Sequence, residues 1–141
     1  MYIIIDEIIY YGRHYSDEFV GDYWWFNKDD YKIYSIKKLN VIFKNKFLDD
    51  YRNQLLTHYI PVFKTEMTDL ERNYINSKND IKLSKKFDSI ALVDYDRYFK
   101  RYIEQNQLHN DWWDYERKSL TKDAIRWCKI NHIKCRLLNE K

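Results

Sequence analysis

Apolar residues first occur in runs of β-branched and aromatic side chains, and only later at helical spacing. Ile and Tyr crowd "MYIIIDEIIYYG", so residues 2–10 read as a strand. Residues 22–27, in "GDYWWFNKDD", are aromatic and read as a second. "YKIYSIKKLNVIF", 31–43, supplies one or two more, turning near Lys37, Lys38 and Asn40. The period then changes over 44–59. Phe47, Tyr51, Leu55 and Tyr59 share one helical face, and Pro61 ends the helix because proline disfavours the helical conformation in the residue before it. Thr68 and Glu71 have the spacing of a capping box, which predicts a short helix over 69–76 with Leu70, Tyr74 and Ile75 inward.

The polar segment 77–86 reads as a loop, and "FDSIALVDY", 87–95, as a buried strand through Ile90, Leu92 and Val93. A helix follows from Asp96, with Tyr98, Phe99, Tyr102 and Ile103 on its apolar face. "SLTKDAIRWCKIN" is the clearest helix. Ser119 or Thr121 caps it, Leu120, Ala124, Trp127 and Cys128 share a face, and Asn131 takes the left-handed C-terminal position. In "HIKCRLL", Ile133, Cys135 and Leu137 alternate inward as a last strand. The expected fold is α+β: a single domain over 1–141, with an antiparallel or mixed sheet and about three to four helices packed on it.

Composition narrows the function. With 141 residues, 45% hydrophobic and 18% aromatic, the chain is long and apolar enough to fold without metal or disulfides. Ile, Lys, Tyr and Asn make up 16, 17, 14 and 11 residues, all encoded mainly by A/T-rich codons, which points to a low-GC bacterium or its phage. The start lacks the features of a signal peptide, and no run reaches the roughly 18 apolar residues that span a bilayer. Cys128 and Cys135 are the only cysteines. The expected location is the bacterial cytosol, whether host- or phage-encoded, with reduced thiols, no cofactor and no membrane partner. Residues 1–30 hold seven acids against two bases, and residues 117–141 eight bases against two acids.

Two glycines cannot build a phosphate-binding loop, a dinucleotide fingerprint or a nucleophile elbow. The best catalytic candidate is "LVDYD". At a strand end, Asp94 and Asp96 would point the same way and could hold Mg²⁺ for phosphoryl transfer or nuclease chemistry. The competing reading is that Asp96 caps the next helix and Asp94 is solvated. The reading favoured is a chain with no catalytic residues and no metal. Arg117, Lys118, Lys122, Arg126, Lys129, Lys134 and Arg136 form a basic end that could meet phosphates. The acids around the nearby tryptophans argue against nucleic acid as the partner.

The tryptophan pairs carry more. Neighbours on a strand face opposite sides, so Trp24 and Trp25 cannot both enter one core. In a helix, Trp112 and Trp113 would stand about 100° apart. Each pair therefore has a second member that is either covered by a loop of this chain or left as an interface anchor. Trp and Tyr anchor interfaces because they bury large area at small entropic cost. The candidate partner-binding residues are Asp22, Tyr23, Trp24 and Trp25, and Asp111, Trp112, Trp113, Asp114 and Tyr115, an acid-rimmed aromatic surface suited to a basic or mixed-charge partner.

"THYIPVFKTEMTDLERNYINS", then "FDSIALVDYDRYFKRYIEQN" and "DWWDYERK", follow one another in a layout that resembles small α+β immunity proteins of bacterial polymorphic and contact-dependent toxin systems. The suggestive residues are Ile60, Pro61, Val62 and Phe63, Leu70 and Glu71, Asp94 and Asp96, and Trp112 and Trp113, covering about half the chain. The resemblance implies a protein that neutralises one toxin by stoichiometric binding and catalyses nothing. Composition equally permits a phage-encoded inhibitor of a bacterial defence complex. In both cases the partner is another protein, a toxin or a defence effector.

Overall fold

The computed structural model describes residues 1–14 and 21–138. In chain order the elements are β1 (Ile3–Ile4), α1 (Ile5–Arg13), β2 (Trp24–Asn27), β3 (Lys32–Ser35), α2 (Ile36–Ile42), α3 (Phe47–Arg52), β4 (Tyr59–Pro61), α4 (Met67–Ser77), α5 (Ile81–Asp88), α6 (Leu92–Gln105), α7 (His109–Ile130) and β5 (Cys135–Arg136). The class is α+β. The described residues form seven helices rather than three to four, because several short helices occupy stretches whose composition suggests strand or loop. They fall into two compact units. Unit 1 comprises Met1–Lys64 and Thr121–Lys141, and unit 2 Thr65–Leu120, with α7 contributing its first half to unit 2 and its second to unit 1.

Unit 1 is built on an antiparallel sheet of order β3-β2-β4, with β1 and β5 paired separately in parallel. The β2–β3 hairpin follows from its turn residues. Asn27 Oδ1 accepts from the Asp29 and Asp30 amides, at 2.8 and 3.4 Å, and Tyr31 takes the left-handed conformation at φ 57°. That register sets Trp25 opposite Tyr34, and Phe26 opposite both Ile33 and Ile60. Strand alternation then divides the aromatic run. Phe26 enters a core with Ile5 and Ile8 of α1 and Ala124 and Cys128 of α7, with Trp24 packed against it. Trp25 enters a second core with Ile36 and Leu39 of α2 and Phe47 of α3.

On the edge strand β4, three of the outward backbone positions cannot pair with a further strand. The Tyr59 amide donates to the Leu56 carbonyl (3.1 Å), Pro61 has no N–H, and the Pro61 carbonyl accepts from Trp127 Nε1 (3.1 Å).

The structure corrects the expected strand over 2–10. Only Ile3 and Ile4 pair, and α1 follows with Ile5, Ile8 and Gly12 buried at helical spacing. Asp6 and Glu7 fall in its first turn, where carboxylates suit the helix dipole. Gly12 allows a close approach: a Cβ there would lie 3.0 Å from the Phe63 carbonyl oxygen. Likewise β3 ends at Ser35, whose hydroxyl caps α2 by accepting from the Lys38 amide (3.1 Å). The helix expected over 44–59 is confined to α3; Gln54 in the left-handed region follows it, Leu55 is exposed, and Tyr59 belongs to β4.

Unit 2 is helical. α4 covers the expected 69–76 and buries Leu70, Tyr74 and Ile75, but it begins at Met67, so Thr68 lies inside the first turn and no side chain caps it. The expected loop 77–86 contains most of α5, which Asp80 caps by accepting from the Leu83 amide (3.1 Å). The expected buried strand 87–95 is instead the end of α5, a link and the start of α6. Leu92 and Val93 are 67% and 91% exposed, whereas Tyr95, Phe99 and Ile103, four residues apart, are buried.

α7 starts ten residues before Ser119, so neither Ser119 nor Thr121 caps it. Its end in unit 1 is a Schellman motif. His132 rather than Asn131 takes the left-handed conformation, the His132 amide donates to Lys129 (3.3 Å), and the Ile133 amide donates to Cys128 (2.8 Å). Asn131 donates from its side chain to the Trp127 carbonyl (2.8 Å). The final strand shortens to β5; Ile133 is buried, Cys135 half-buried and Leu137 exposed.

Candidate functional site

Both members of the first tryptophan pair are occupied within unit 1. Trp25 is 2% exposed, with its ring 4.9 Å from Phe47 and 4.7 Å from Tyr51 between centroids, and its Nε1 donates to the Asp22 carbonyl (3.0 Å). Trp24, on the other sheet face, is half-buried against Tyr11 (4.6 Å) and Tyr23 (4.8 Å), and its Nε1 donates to the His14 carbonyl (2.8 Å). The alternation expected of a strand is present, and helices of the same unit cover both faces. Tyr23 is half-buried and its carbonyl accepts from the Ile36 amide. Asp22 lines an open cleft of about 820 Å³, together with Tyr51, Arg52, Pro61 and Trp127.

The second pair divides differently. Trp112 is 8% exposed and packs on Phe99 (4.7 Å) and Tyr74 (5.2 Å), with half-buried Tyr115 also 5.2 Å from Tyr74. Trp113 is 60% exposed, its only ring neighbour among the described residues being His109 at 6.1 Å, one turn back. The acids beside it have partners. Asp111 accepts from Lys78 and from the Tyr74 hydroxyl, which hold its carboxyl below the usual carboxylate range. Asp114 pairs with Lys118 (2.8 Å). The rim around Trp113 is thus mixed in charge rather than acidic. Of the nine candidate residues, Trp113 alone presents a large exposed aromatic surface.

Asp94 and Asp96 lie in the first turns of α6 rather than at a strand end. Two residues apart on a helix, they point to different sides and cannot converge on one ion. Asp94 pairs with Arg97 (3.2 Å) and Asp96 with Lys100 (2.9 Å). No group of three or more potential ligands among the described residues is placed to hold a metal. Cys128 is buried in the unit 1 core, and burial, then the neighbouring Cys135, push its thiol up to about 12, far from a reactive thiolate at neutral pH. In the basic end, Lys118 is held by Asp114 and Arg136 lies over the Tyr2 ring (4.2 Å). Lys122, Arg126 and Lys129 are exposed along the second half of α7.

Sequence reasoning missed one unusual group. Glu71 of α4 is 2% exposed, and its Oε1 has no hydrogen-bond partner among the described residues. Burial, then the facing Asp96, hold its carboxyl up to about 9, with Lys100 opposing and Glu116 of α7 adding to the rise. Hydrogen bonding with Glu71, then Lys100, keeps Asp96 below the ordinary range. At neutral pH this is a protonated acid against an ionised one. The signal was the position of Glu71 between Leu70 and the inward Tyr74 and Ile75, which the capping-box pattern obscured.

No protein-family model, curated protein or solved structure matches this chain. No helix among the described residues is long and apolar enough to cross a membrane.

Proposed function

We propose that this chain works by binding another protein, as a stoichiometric inhibitor of the immunity type that neutralises a bacterial toxin, and that Trp113 anchors the contact. The exposure of Trp113 carries the reading. Its neighbour Trp112 is locked among Tyr74, Phe99 and Tyr115, so the helical turn that presents Trp113 is held firmly. An indole on a rigid support loses little entropy on binding, which is what makes tryptophan a frequent interface hot spot. The mixed rim of His109, Asp114 and Lys118 suits a partner of mixed charge.

The test places a photo-crosslinking amino acid at 113 in the native host and identifies the polypeptide it captures. That polypeptide should be toxic when expressed alone and neutralised when this chain is co-expressed. Trp113→Ala should weaken the complex by about 2 kcal/mol or more with the fold intact. A captured protein that is harmless alone, or that binds Trp113→Ala as tightly as wild type, refutes the reading.

A further inference from the structure

Unit 2 has a second surface, separate in sequence from Trp113. A groove of about 420 Å³ runs between α5 and α6. One wall carries Leu83, Phe87 and Ile90, and the other Tyr98 and Tyr102, each set spaced by three or four residues. The floor is firm, because the Phe87 ring is buried and lies 5.6 Å from Tyr102 and 5.5 Å from Tyr95. The rim is cationic, formed by Lys86 and Arg101, and the remaining polar lining is Gln105 and Asn106. No carboxylate among the described residues lines it.

The other cations of α6 are neutralised within the helix, Arg97 by Asp94 and Lys100 by Asp96. Arg101 lies over the Tyr98 ring at 5.6 Å, a ring it shares with Arg97 at 5.3 Å, but unlike Arg97 it has no carboxylate partner among the described residues. Stacking on an aromatic face orients a guanidinium and leaves its donor fork available for a carboxylate. Lys82, Lys85 and Lys86 on α5 likewise have no carboxylate partner among the described residues, and all three are exposed.

We propose that this groove is a docking site for an acidic amphipathic helix of a partner protein. Apolar side chains of that helix enter between Phe87, Ile90 and Tyr102, and its flanking Asp or Glu residues meet Arg101 and Lys86. Two walls with helical spacing fit a ligand whose apolar residues recur at i, i+3 or i+4, and i+7. Unsatisfied cations around an apolar floor select acidic flanks over basic ones. Concavity distinguishes the site from a membrane-binding face, which lays an amphipathic helix flat on the bilayer surface. The buried floor ring distinguishes it from a single-strand nucleic-acid platform, whose rings are open for stacking.

The test pans the full chain against displayed peptides of about 15 residues, the length at which an isolated helix becomes marginally stable. Enriched peptides should carry Asp or Glu beside apolar residues at helical spacing. Their affinity should fall at least about tenfold for Arg101→Glu and Lys86→Glu, at exposed positions where charge reversal leaves the core untouched. Arg101→Gln, which removes the charge without reversing it, should also weaken binding while circular dichroism stays unchanged. Trp113→Ala should bind the same peptides normally, which separates this site from the anchor on α7. Lack of enrichment, enriched peptides without acids, or binding unaffected by all three groove variants overturns the proposal. So does binding of phosphatidylserine-containing vesicles or a single-stranded oligonucleotide that depends on Arg101 and resists competition by the peptides.

Discussion

Replacing Glu71 by Gln should flatten the dependence of stability on pH. The carboxyl is ordinary in the unfolded chain, near 4.5, and raised to about 9 when folded. Below 4.5 both states hold the proton, and the folded state is not penalised. Between the two values the unfolded chain ionises at this position while the folded chain does not. Folding then takes up one proton, and stability falls by about 1.4 kcal/mol per pH unit. The loss is about 3 kcal/mol by neutral pH and on the order of 6 kcal/mol across the window, against a typical domain stability of about 5–15 kcal/mol. Asp96 has the opposite sign: its folded value lies below 3.8, so its contribution is present above that value and is lost only in acid. Gln keeps the shape of Glu71 and can still donate to Asp96, yet cannot ionise. Urea unfolding followed by far-UV circular dichroism, from about pH 5 to about pH 9, should show wild type weakening steadily and Glu71→Gln holding level. Parallel curves for the two proteins would refute the protonated Glu71–Asp96 pair.

Trp112→Ala should cost about 3–5 kcal/mol in the same unfolding assay, whereas Trp113→Ala should change stability by no more than about 0.5 kcal/mol. Gly12→Ala should destabilise by about 1–3 kcal/mol despite alanine's better helix propensity, because its Cβ would press on the Phe63 carbonyl; a gain in the urea midpoint would refute that contact. Cys128 should remain unreactive toward a thiol reagent in the native protein and react only on unfolding, read as the rate of labelling against urea.

The α+β class, β2, the core of α4 and the second half of α7 were legible because their patterns are local. Aromatic alternation in 22–27 defines two faces, and Leu70, Tyr74 and Ile75 define a helical stripe. The same local logic failed over residues 2–10, where five isoleucines suggest a strand, but Ile5 and Ile8 with Gly12 form the buried helical face of α1. It failed at α5 and the start of α6, where Leu92 and Val93 are exposed although their composition suggests a buried strand. Short segments carry too few periods to separate 2.0 from 3.6 residues per repeat, so packing partners decide.

By itself the sequence determined that Trp24 and Trp25 must part, since adjacent strand residues cannot face one way. It also determined that Trp112 and Trp113 diverge, since neighbours on a helix stand about 100° apart. Which indole stays in solvent was left to tertiary structure. In unit 1, α1, α2 and α3 together with the end of α7 place side chains over both sheet faces, so both indoles are covered. In unit 2, α4 and α6 pack around Trp112, and Trp113 faces outward. Burial is a property of surfaces brought together from distant parts of the chain, and no local pattern encodes which of them will meet.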